Sequence, residues 1–275
     1  MIECMKLMIA DIDGTLTAIG KPIMPIAREA LIRLRKEGVL LGIASGRPVG
    51  DQLAVHAENW KIGGQFDVII GMNGGQMWDV RKDKHSSYHL LKKEYIKEIM
   101  DMMEPLGLNP FIYKDGYMLS QRYDEMMNSS AIRNNMPAVT ADRPEQLYET
   151  DNSKILYRIP DDIKMEDVLA FIARHPSRNY ISVVTTPFMV EFMDPRVNKG
   201  VAMKAFCQDN QIPLSEVMAF GDAENDVEMM KAAGWSVCLK NGRKAALEVA
   251  DAVTESDVDH DGLGRYLSDH WFNKQ

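Results

Sequence analysis

Asp11 and Asp13 follow a short apolar run near the start of the chain and place two carboxyl groups two residues apart. In an extended segment, side chains at this spacing point to the same side. Two carboxylates this close raise each other's pKa unless a cation lies between them. A hard cation such as Mg²⁺ prefers oxygen ligands and would relieve the repulsion. The pair therefore predicts a divalent-cation site.

Three further segments carry polar side chains that suit a phosphoryl group. Asp222 offers another oxygen ligand for the cation, Ser45 a hydroxyl group, and Lys199 a compact positive charge. Gly14 permits a tight turn whose backbone N–H groups can cradle phosphate oxygens. In phosphoryl transfer, catalysis is largely positioning and electrostatic stabilisation, and these groups supply both.

The reaction that this set favours begins with a carboxylate nucleophile. Asp11 is ionised at neutral pH and needs no base to activate it. Its attack on phosphorus would give an aspartyl phosphate. Asp13 could protonate the leaving alkoxide and then accept a proton from the attacking water.

The segments that carry Asp11, Ser45 and Asp222 follow short apolar runs of the kind that form buried parallel strands, whereas Lys199 opens a predicted helix. The runs that we interpret as core strands are Lys6–Ala10, Val39–Ala44, Asp67–Gly71, Val217–Phe220 and Ser236–Leu239. Helical patterns alternate with them, which predicts an α/β fold with a Rossmann-like parallel sheet and right-handed crossovers. Ligands bind outside the carboxyl ends of such strands, so segments distant in sequence can meet there.

The middle of the chain has a different pattern. Phe111–Lys114 and Tyr117–Gln121 flank Asp115-Gly116, a strong two-residue hairpin signal. Antiparallel signals inside an α/β frame predict an inserted α+β domain. We place the first part of the core at 1–80, the insertion at 81–194 and the second part of the core at 195–275.

Composition is that of an ordinary soluble globular protein. The 275 residues are 45% hydrophobic and 26% charged, with a formal net charge of −8 and three scattered cysteines. The acidic balance disfavours nucleic acid as a partner. No apolar stretch is long enough for a membrane span, and the cysteines suit a reducing compartment. We therefore expect a cytoplasmic protein that acts on a small phosphorylated metabolite, as a monomer or weak homodimer.

Four motifs, taken in order, resemble those of the haloacid dehalogenase superfamily. They are Asp11-x-Asp13-Gly14-Thr15-Leu16, Ser45-Gly46-Arg47, Lys199-Gly200 and Gly221-Asp222-x-x-Asn225-Asp226. The size and position of the insertion are similar to the type IIB, Cof-like sugar phosphatases, as are Asn73-Gly74-Gly75 and the segment Asp257 to Leu263. Dehalogenases lack the second aspartate, so Asp13 favours a phosphatase.

The resemblance implies a type C2B cap as the inserted domain and a role for each motif residue. It makes Asp11 the nucleophile and Asp13 the acid and base. The remaining implied roles are Mg²⁺ ligands (Asp11, the Asp13 carbonyl and Asp222), contacts with the substrate phosphate (Ser45, Gly46, Arg47, Lys199 and Asn225) and support (Gly14, Thr15 and Asp226).

The expected function is Mg²⁺-dependent hydrolysis of a small phosphorylated metabolite, with a sugar phosphate favoured. Two alternatives remain open: a phosphomutase or phosphotransferase of the same fold, and a regulator that binds a phosphorylated ligand without turnover. Tyr113, Arg133 and Glu191 are candidate specificity residues in the insertion.

Overall fold

The computed structural model describes residues 2–274, apart from the side chains of Arg133, Thr185 and Lys274. Arg133, a candidate specificity residue, therefore lies outside the described side chains. The chain divides into two compact units. The first comprises 1–86 and 198–275, and the second comprises 87–197.

The described residues form the following strands and helices. The strands are β1 Leu7–Asp11, β2 Leu40–Ala44, β3 Val68–Gly71, β4 Gln76–Asp79, β5 Lys84–Ser87, β6 Pro110–Lys114, β7 Tyr117–Ser120, β8 Ala138–Thr140, β9 Ile155–Arg158, β10 Ile181–Thr186, β11 Met189–Met193, β12 Val217–Gly221, β13 Trp235–Cys238 and β14 Ala252–Val253. The helices are α1 Pro25–Lys36, α2 Asp51–Asn59, α3 Lys93–Met103, α4 Glu125–Arg133, α5 Met165–Ala173, α6 Lys199–Asp209, α7 Val227–Ala232, α8 Lys244–Leu247 and α9 Gly262–Tyr266.

The first unit is built on a sheet with the strand order β14-β13-β12-β1-β2-β3-β4-β5. The strands from β14 to β3 pair in parallel. All five residues of β1 are buried, as the uninterrupted apolar run requires for a strand covered on both faces. The chain builds the sheet outward from β1 on one side and later from β12 on the other. The order therefore reverses next to β1, which is where ligands bind in sheets of this type.

One edge of this sheet departs from the parallel pattern. β4 pairs antiparallel with β3, and β5 continues the sheet beyond β4. β5 lies within the stretch that we assign to the insertion from the sequence, because its residues Lys84 to Ser87 are polar and carry no strand periodicity for a buried element. A short connection after β3 suffices for an antiparallel neighbour.

The segment around Asp261 caps helix α1 from the far end of the chain. Met24, the residue at the N-cap of α1, provides no side-chain acceptor. The carboxylate of Asp261 accepts hydrogen bonds from the backbone N–H groups of Ile26 at 2.7 Å and Ala27 at 2.8 Å. Two N–H groups that lack helical partners are thus satisfied by an anion at the positive end of the helix.

The second unit contains a sheet with the strand order β10-β11-β9-β6-β7-β8. β6 and β7 form the predicted hairpin, and both turn residues, Asp115 and Gly116, have positive φ. This is the backbone conformation of the tight turns that suit strand twist. One face of the sheet packs in an apolar core with helices α3 and α5.

The predicted fold class is confirmed: an α/β core with a largely parallel sheet accompanies an α+β unit inserted in the chain. Within residues 2–274, no helix combines the length and apolarity that crossing a membrane would need.

Candidate active site

The polar motifs lie on four pieces of backbone around the carboxyl ends of β1, β2 and β12. Asp11 is the last residue of β1, and Ser45 follows β2 directly. Asp222 follows β12, and Lys199 is the first residue of α6. Asn198 caps α6 through its side-chain oxygen, which accepts a hydrogen bond from the Val201 N–H at 3.0 Å. The parallel strands thus bring together motifs that are far apart in sequence.

Lys199 is fully buried between two carboxylates. Its ammonium group donates to Oδ1 of Asp11 and, at 2.5 Å, to Oδ1 of Asp226. Burial lowers the pKa of Lys199, but the charges of Asp11 and Asp226 outweigh burial and leave the pKa raised. The lysine therefore stays charged throughout the physiological range.

Asp11 is almost completely buried at 8% exposure. Burial raises the pKa of its carboxyl group well above the ordinary value; Lys199 lowers it, whereas Asp226 and Asp222 raise it further. A buried carboxylate in this setting needs more positive charge than one lysine to be fully ionised. A nearby cation would therefore lower the pKa of Asp11, the nucleophile predicted from sequence, and favour its ionised form.

Asp226 has both of its carboxylate oxygens engaged by protein groups. Oδ1 accepts from Lys199, and Oδ2 accepts from the backbone N–H groups of Asp222 and Ala223, both at 3.0 Å. Gly221 makes room for this arrangement, because a Cβ atom there would lie 2.5 Å from Cβ of Asp226. Asp226 therefore orients Lys199 and the turn after β12.

Asp222 lies opposite the turn that follows β1. The hydroxyl group of Thr15 donates to Oδ1 of Asp222 at 2.7 Å. Gly14 has φ of +101°, and a Cβ atom there would lie 2.5 Å from Oδ2 of Asp222. Burial, together with the charge of Asp226, raises the pKa of Asp222 to about 6, despite the hydrogen bond from Thr15 and the nearby Lys199.

Three carboxylates form an acidic group that could hold a metal ion. One oxygen each from Asp11, Asp222 and Asp226 lie within 4.8 Å of one another. Oxygen-only donors suit Mg²⁺, which prefers one or two carboxylates with water and phosphate oxygens. Because both carboxylate oxygens of Asp226 already accept hydrogen bonds, Asp11 and Asp222 are the better ligands. A bound cation would lower the raised pKa of each of these two carboxyl groups. The residues present therefore fit such an ion.

Asp13 has a different partner from Asp11. Its Oδ2 accepts a hydrogen bond from Nη2 of Arg47 at 2.5 Å, and both side chains are about 30% exposed. Its carboxylate is not part of the acidic group formed by the described residues. The expected ligand from Asp13, its backbone carbonyl, stays a prediction, as does contact between Arg47 and a phosphate group.

Ser45, Gly46 and Asn225 are linked through Asn73. The backbone N–H of Asn73 donates to the Ser45 carbonyl at 3.1 Å, and the Asn225 amide donates to Oδ1 of Asn73 at 3.2 Å. A Cβ atom on Gly46 would lie 3.1 Å from the same Oδ1 atom. Asn73 has φ of +55° and belongs to the Asn-Gly-Gly segment, whose role the sequence does not reveal.

Asn241 is a residue near the site that sequence reasoning misses. Its amide donates to the carbonyl of Gly14 at 2.8 Å, and its Oδ1 accepts from the Val258 N–H at 2.9 Å. It therefore ties the turn after β1 to the segment that precedes Asp261. The available sequence signal is the Asn-Gly pair at 241–242, which indicates only a turn.

Comparison with known proteins agrees with these motifs. Residues 8–267 match the family of haloacid dehalogenase-like hydrolases. The 5-amino-6-(5-phospho-D-ribitylamino)uracil phosphatase of Bacillus subtilis is 24% identical over 95% of this chain and 96% of its own length. The prediction of a hydrolytic enzyme of the phosphatase type is confirmed at the level of this family.

Solved structures share the fold over both units. A haloacid dehalogenase-like hydrolase from Bacteroides thetaiotaomicron has a TM-score of 0.81 at 22% identity, covering 96% of this chain and 98% of the other. A sugar phosphatase of haloacid dehalogenase subclass IIB has a TM-score of 0.77 at 20% identity, with 96% and 98% covered. The chain belongs to the haloacid dehalogenase-like hydrolases, and its fold is that of the Cof-like, type IIB branch.

Proposed function

We propose that the protein is a Mg²⁺-dependent phosphatase that hydrolyses a sugar phosphate or a similar phosphorylated polyol through an aspartyl phosphate on Asp11. The observation that carries this proposal is the buried contact of Asp11 with Lys199, beside Asp222. A pure binding protein would have no need of a buried carboxylate at the end of the central strand. The relatives named as a ribitylaminouracil phosphate phosphatase and a sugar phosphatase support the substrate class.

In this mechanism the Asp11 carboxylate attacks phosphorus while the bond from phosphorus to the leaving oxygen breaks. Asp13 gives its proton to that oxygen, so the alcohol leaves neutral. Asp13 then takes a proton from water as the water oxygen attacks the aspartyl phosphate. Phosphate is released, and the Asp11 carboxylate and the Asp13 acid are restored.

The other groups stabilise charge and position. Lys199 keeps Asp11 in place and offers its charge to the phosphoryl oxygens, while Asp226 holds Lys199. Ser45 and Asn225 supply a hydroxyl and an amide group for the same oxygens. Mg²⁺, held by Asp11, Asp222 and the Asp13 carbonyl, would supply the remaining positive charge against which a phosphate dianion can approach a carboxylate.

The test is phosphate release from p-nitrophenyl phosphate, followed by a panel of sugar and polyol phosphates. We expect activity that requires Mg²⁺, stops on chelation and is lost in Asp11→Asn. Asp209→Asn, which changes an exposed aspartate paired with Lys84, is the matched control and should retain wild-type activity. Full activity in Asp11→Asn would disprove the mechanism. Phosphate release that depends on an added sugar acceptor would instead favour a phosphotransferase.

A further inference from the structure

Asp13 is held differently from the other carboxylates of the site. Asp11 and Asp226 contact buried Lys199, and Asp222 accepts from buried Thr15. Asp13 is partly exposed, and the group that holds it is the guanidinium of Arg47. The position of a proton-transferring carboxyl in a turn thus depends on a side chain from another loop.

The backbone of Arg47 is fixed firmly enough to act as an anchor. Its N–H donates to Oγ of Ser45 at 3.2 Å, and its carbonyl accepts from the N–H of Met72 at 2.8 Å. Gly71 lies so close that a Cβ atom there would be 2.6 Å from the Arg47 carbonyl oxygen. The side chain therefore extends from an anchored point, and little freedom is left at its base.

The ion pair between Arg47 and Asp13 suits orientation of the Asp13 carboxyl group better than stabilisation of the fold. A partly exposed ion pair contributes little to the stability of the fold, because solvent screens it. The planar guanidinium is directional, however, and in this pair one of its N–H groups contacts one carboxylate oxygen. Here Oδ2 of Asp13 accepts from Arg47, which leaves Oδ1 for proton transfer. Misplacement of a catalytic group by about 1 Å can cost roughly 100-fold in rate.

We propose that Arg47 is a positioning residue for Asp13 and acts on the reaction through that carboxyl group, not as a ligand of the phosphoryl group. The proposal rests on the proposed function, in which Asp13 gives its proton to the leaving oxygen and later takes one from water. Arg47 itself exchanges no proton and forms no covalent bond. Its guanidinium fixes the direction from which the Asp13 carboxyl approaches both oxygens.

A double-mutant cycle separates the two roles. With a sugar phosphate, Arg47→Gln should lower kcat about 10-fold, less than the roughly 100- to 10,000-fold contributed by a general acid–base group itself. KM should stay unchanged, because both chemical steps need Asp13 with this substrate and slow together. Asp13→Ala should lower kcat about 100-fold or more. If Arg47 acts through Asp13, adding Arg47→Gln to Asp13→Ala should change kcat by less than twofold. Multiplication of the two effects, or a rise in KM as the main effect of Arg47→Gln, would overturn the proposal.

The leaving group gives an independent readout. p-Nitrophenolate leaves without protonation, so only hydrolysis of the aspartyl phosphate needs Asp13 with this substrate. Rapid mixing of Arg47→Gln with p-nitrophenyl phosphate should therefore give a burst near one equivalent of p-nitrophenolate, then slow turnover. The proposal would be contradicted if no burst is seen because Arg47→Gln slows formation of the aspartyl phosphate as much as its hydrolysis.

Two further variants complete the design. With Asp13 intact, Arg47→Lys keeps the positive charge and should have a higher kcat than Arg47→Gln. In the Asp13→Ala variant, the same lysine should give no gain in kcat. Arg243→Gln removes an arginine paired with Glu224 at 3.1 Å and serves as the control for loss of positive charge nearby. Equal losses in Arg243→Gln and Arg47→Gln would show a general charge effect and reject positioning. The activity of Asp11→Asn, which the proposed function requires to be lost, tests that function separately from the role of Arg47.

Discussion

Lys199 is the residue on which the charge balance of the site depends. A fully buried ammonium group would be costly in isolation, and two buried carboxylates beside one another would be as well. In the structure the lysine contacts both Asp11 and Asp226, and the backbone N–H groups after β12 supply further donors. In the proposed mechanism, catalysis would use the same three side chains that balance this buried charge.

Lys199→Met should abolish turnover and destabilise the protein by about 3 kcal/mol at pH 8, because it leaves buried carboxylates without their cation. Asp11, whose pKa burial already raises, would lose the group that lowers it. A carboxyl group whose pKa is raised in the folded state contributes less to the free energy of unfolding as pH rises. The stability gap between wild type and variant should thus narrow at pH 5.5, as measured by urea unfolding with a chelator present.

The matched control for this variant is Lys231→Met. Lys231 pairs with Glu228 at 3.0 Å, with both side chains about half exposed. Its replacement should change the free energy of unfolding by less than about 1 kcal/mol at either pH. A pH-independent gap for Lys199→Met would contradict the charge argument.

At the scale of elements, the turn after β1 depends on its glycine. Gly14→Ala would place a methyl group 2.5 Å from Asp222 in a backbone conformation that suits glycine. We expect kcat/KM to fall about 100-fold while the protein stays folded, as assayed by circular dichroism and p-nitrophenyl phosphate turnover. Gly20→Ala is the control, since Gly20 also has positive φ but no atom within 4 Å of the added group. It should cost about 1 kcal/mol of stability and little activity; equal activity losses in both variants would show that backbone strain alone is responsible.

The cap on helix α1 makes a separate prediction. Asp261→Ala removes the acceptor for the N–H groups of Ile26 and Ala27 and should lower the free energy of unfolding by about 2 kcal/mol. Asp261→Asn keeps one acceptor and tolerates the positive φ of this position, so it should cost less. Asp259→Ala, two residues earlier and exposed, should cost under about 0.5 kcal/mol. Equal losses in the free energy of unfolding for Asp259→Ala and Asp261→Ala, measured with urea, would contradict the capping of helix α1 by Asp261.

The core elements could be predicted from sequence because a buried parallel strand is an uninterrupted apolar run. The run Lys6–Ala10 corresponds to β1 at Leu7–Asp11, and Val217–Phe220 to β12 at Val217–Gly221. The polar edge strand β5 lacks so clear a signal, because a short polar segment without apolar periodicity has the same pattern as a loop.

For the site, the sequence supplied the residues but not their pairing. Which cation contacts Asp13, and which contacts Asp11, depends on rotamers and on the approach of separate loops, so the sequence alone does not pair Arg47 with Asp13 or Lys199 with Asp11. The roles of Asn73 and Asn241 also arise from long-range hydrogen bonds. An asparagine in a turn gives no hint of such a partner.

For the whole molecule, Mg²⁺ should stabilise the folded state in a pH-dependent way. Burial raises the pKa of Asp222 to about 6, above its ordinary value of 3.8. The folded state then binds a proton more tightly than the unfolded state, so this group's contribution to stability falls as pH rises from about 4 to 6. A cation that replaces the proton should raise Tm more at pH 8 than at pH 5, as measured by thermal denaturation with about 5 mM Mg²⁺ or with a chelator.

Asp222→Asn tests the origin of this effect. The variant loses the buried charge and keeps an oxygen that can accept from Thr15. Without Mg²⁺ it should be at least as stable as wild type at pH 8, and it should show little further response to the ion. A Tm shift in Asp222→Asn as large as in wild type would place the stabilising ion elsewhere.

The order of the strands has a consequence for synthesis on the ribosome. β1 is buried in the finished sheet between β2 and β12, yet β12 begins at Val217, about 200 residues later. At the usual 5–20 residues per second, one edge of this apolar strand waits about 10–40 s for its neighbour. The unit 87–197 is continuous and emerges entirely within that interval. The nascent chain should therefore fold its middle first and need chaperone protection for its beginning.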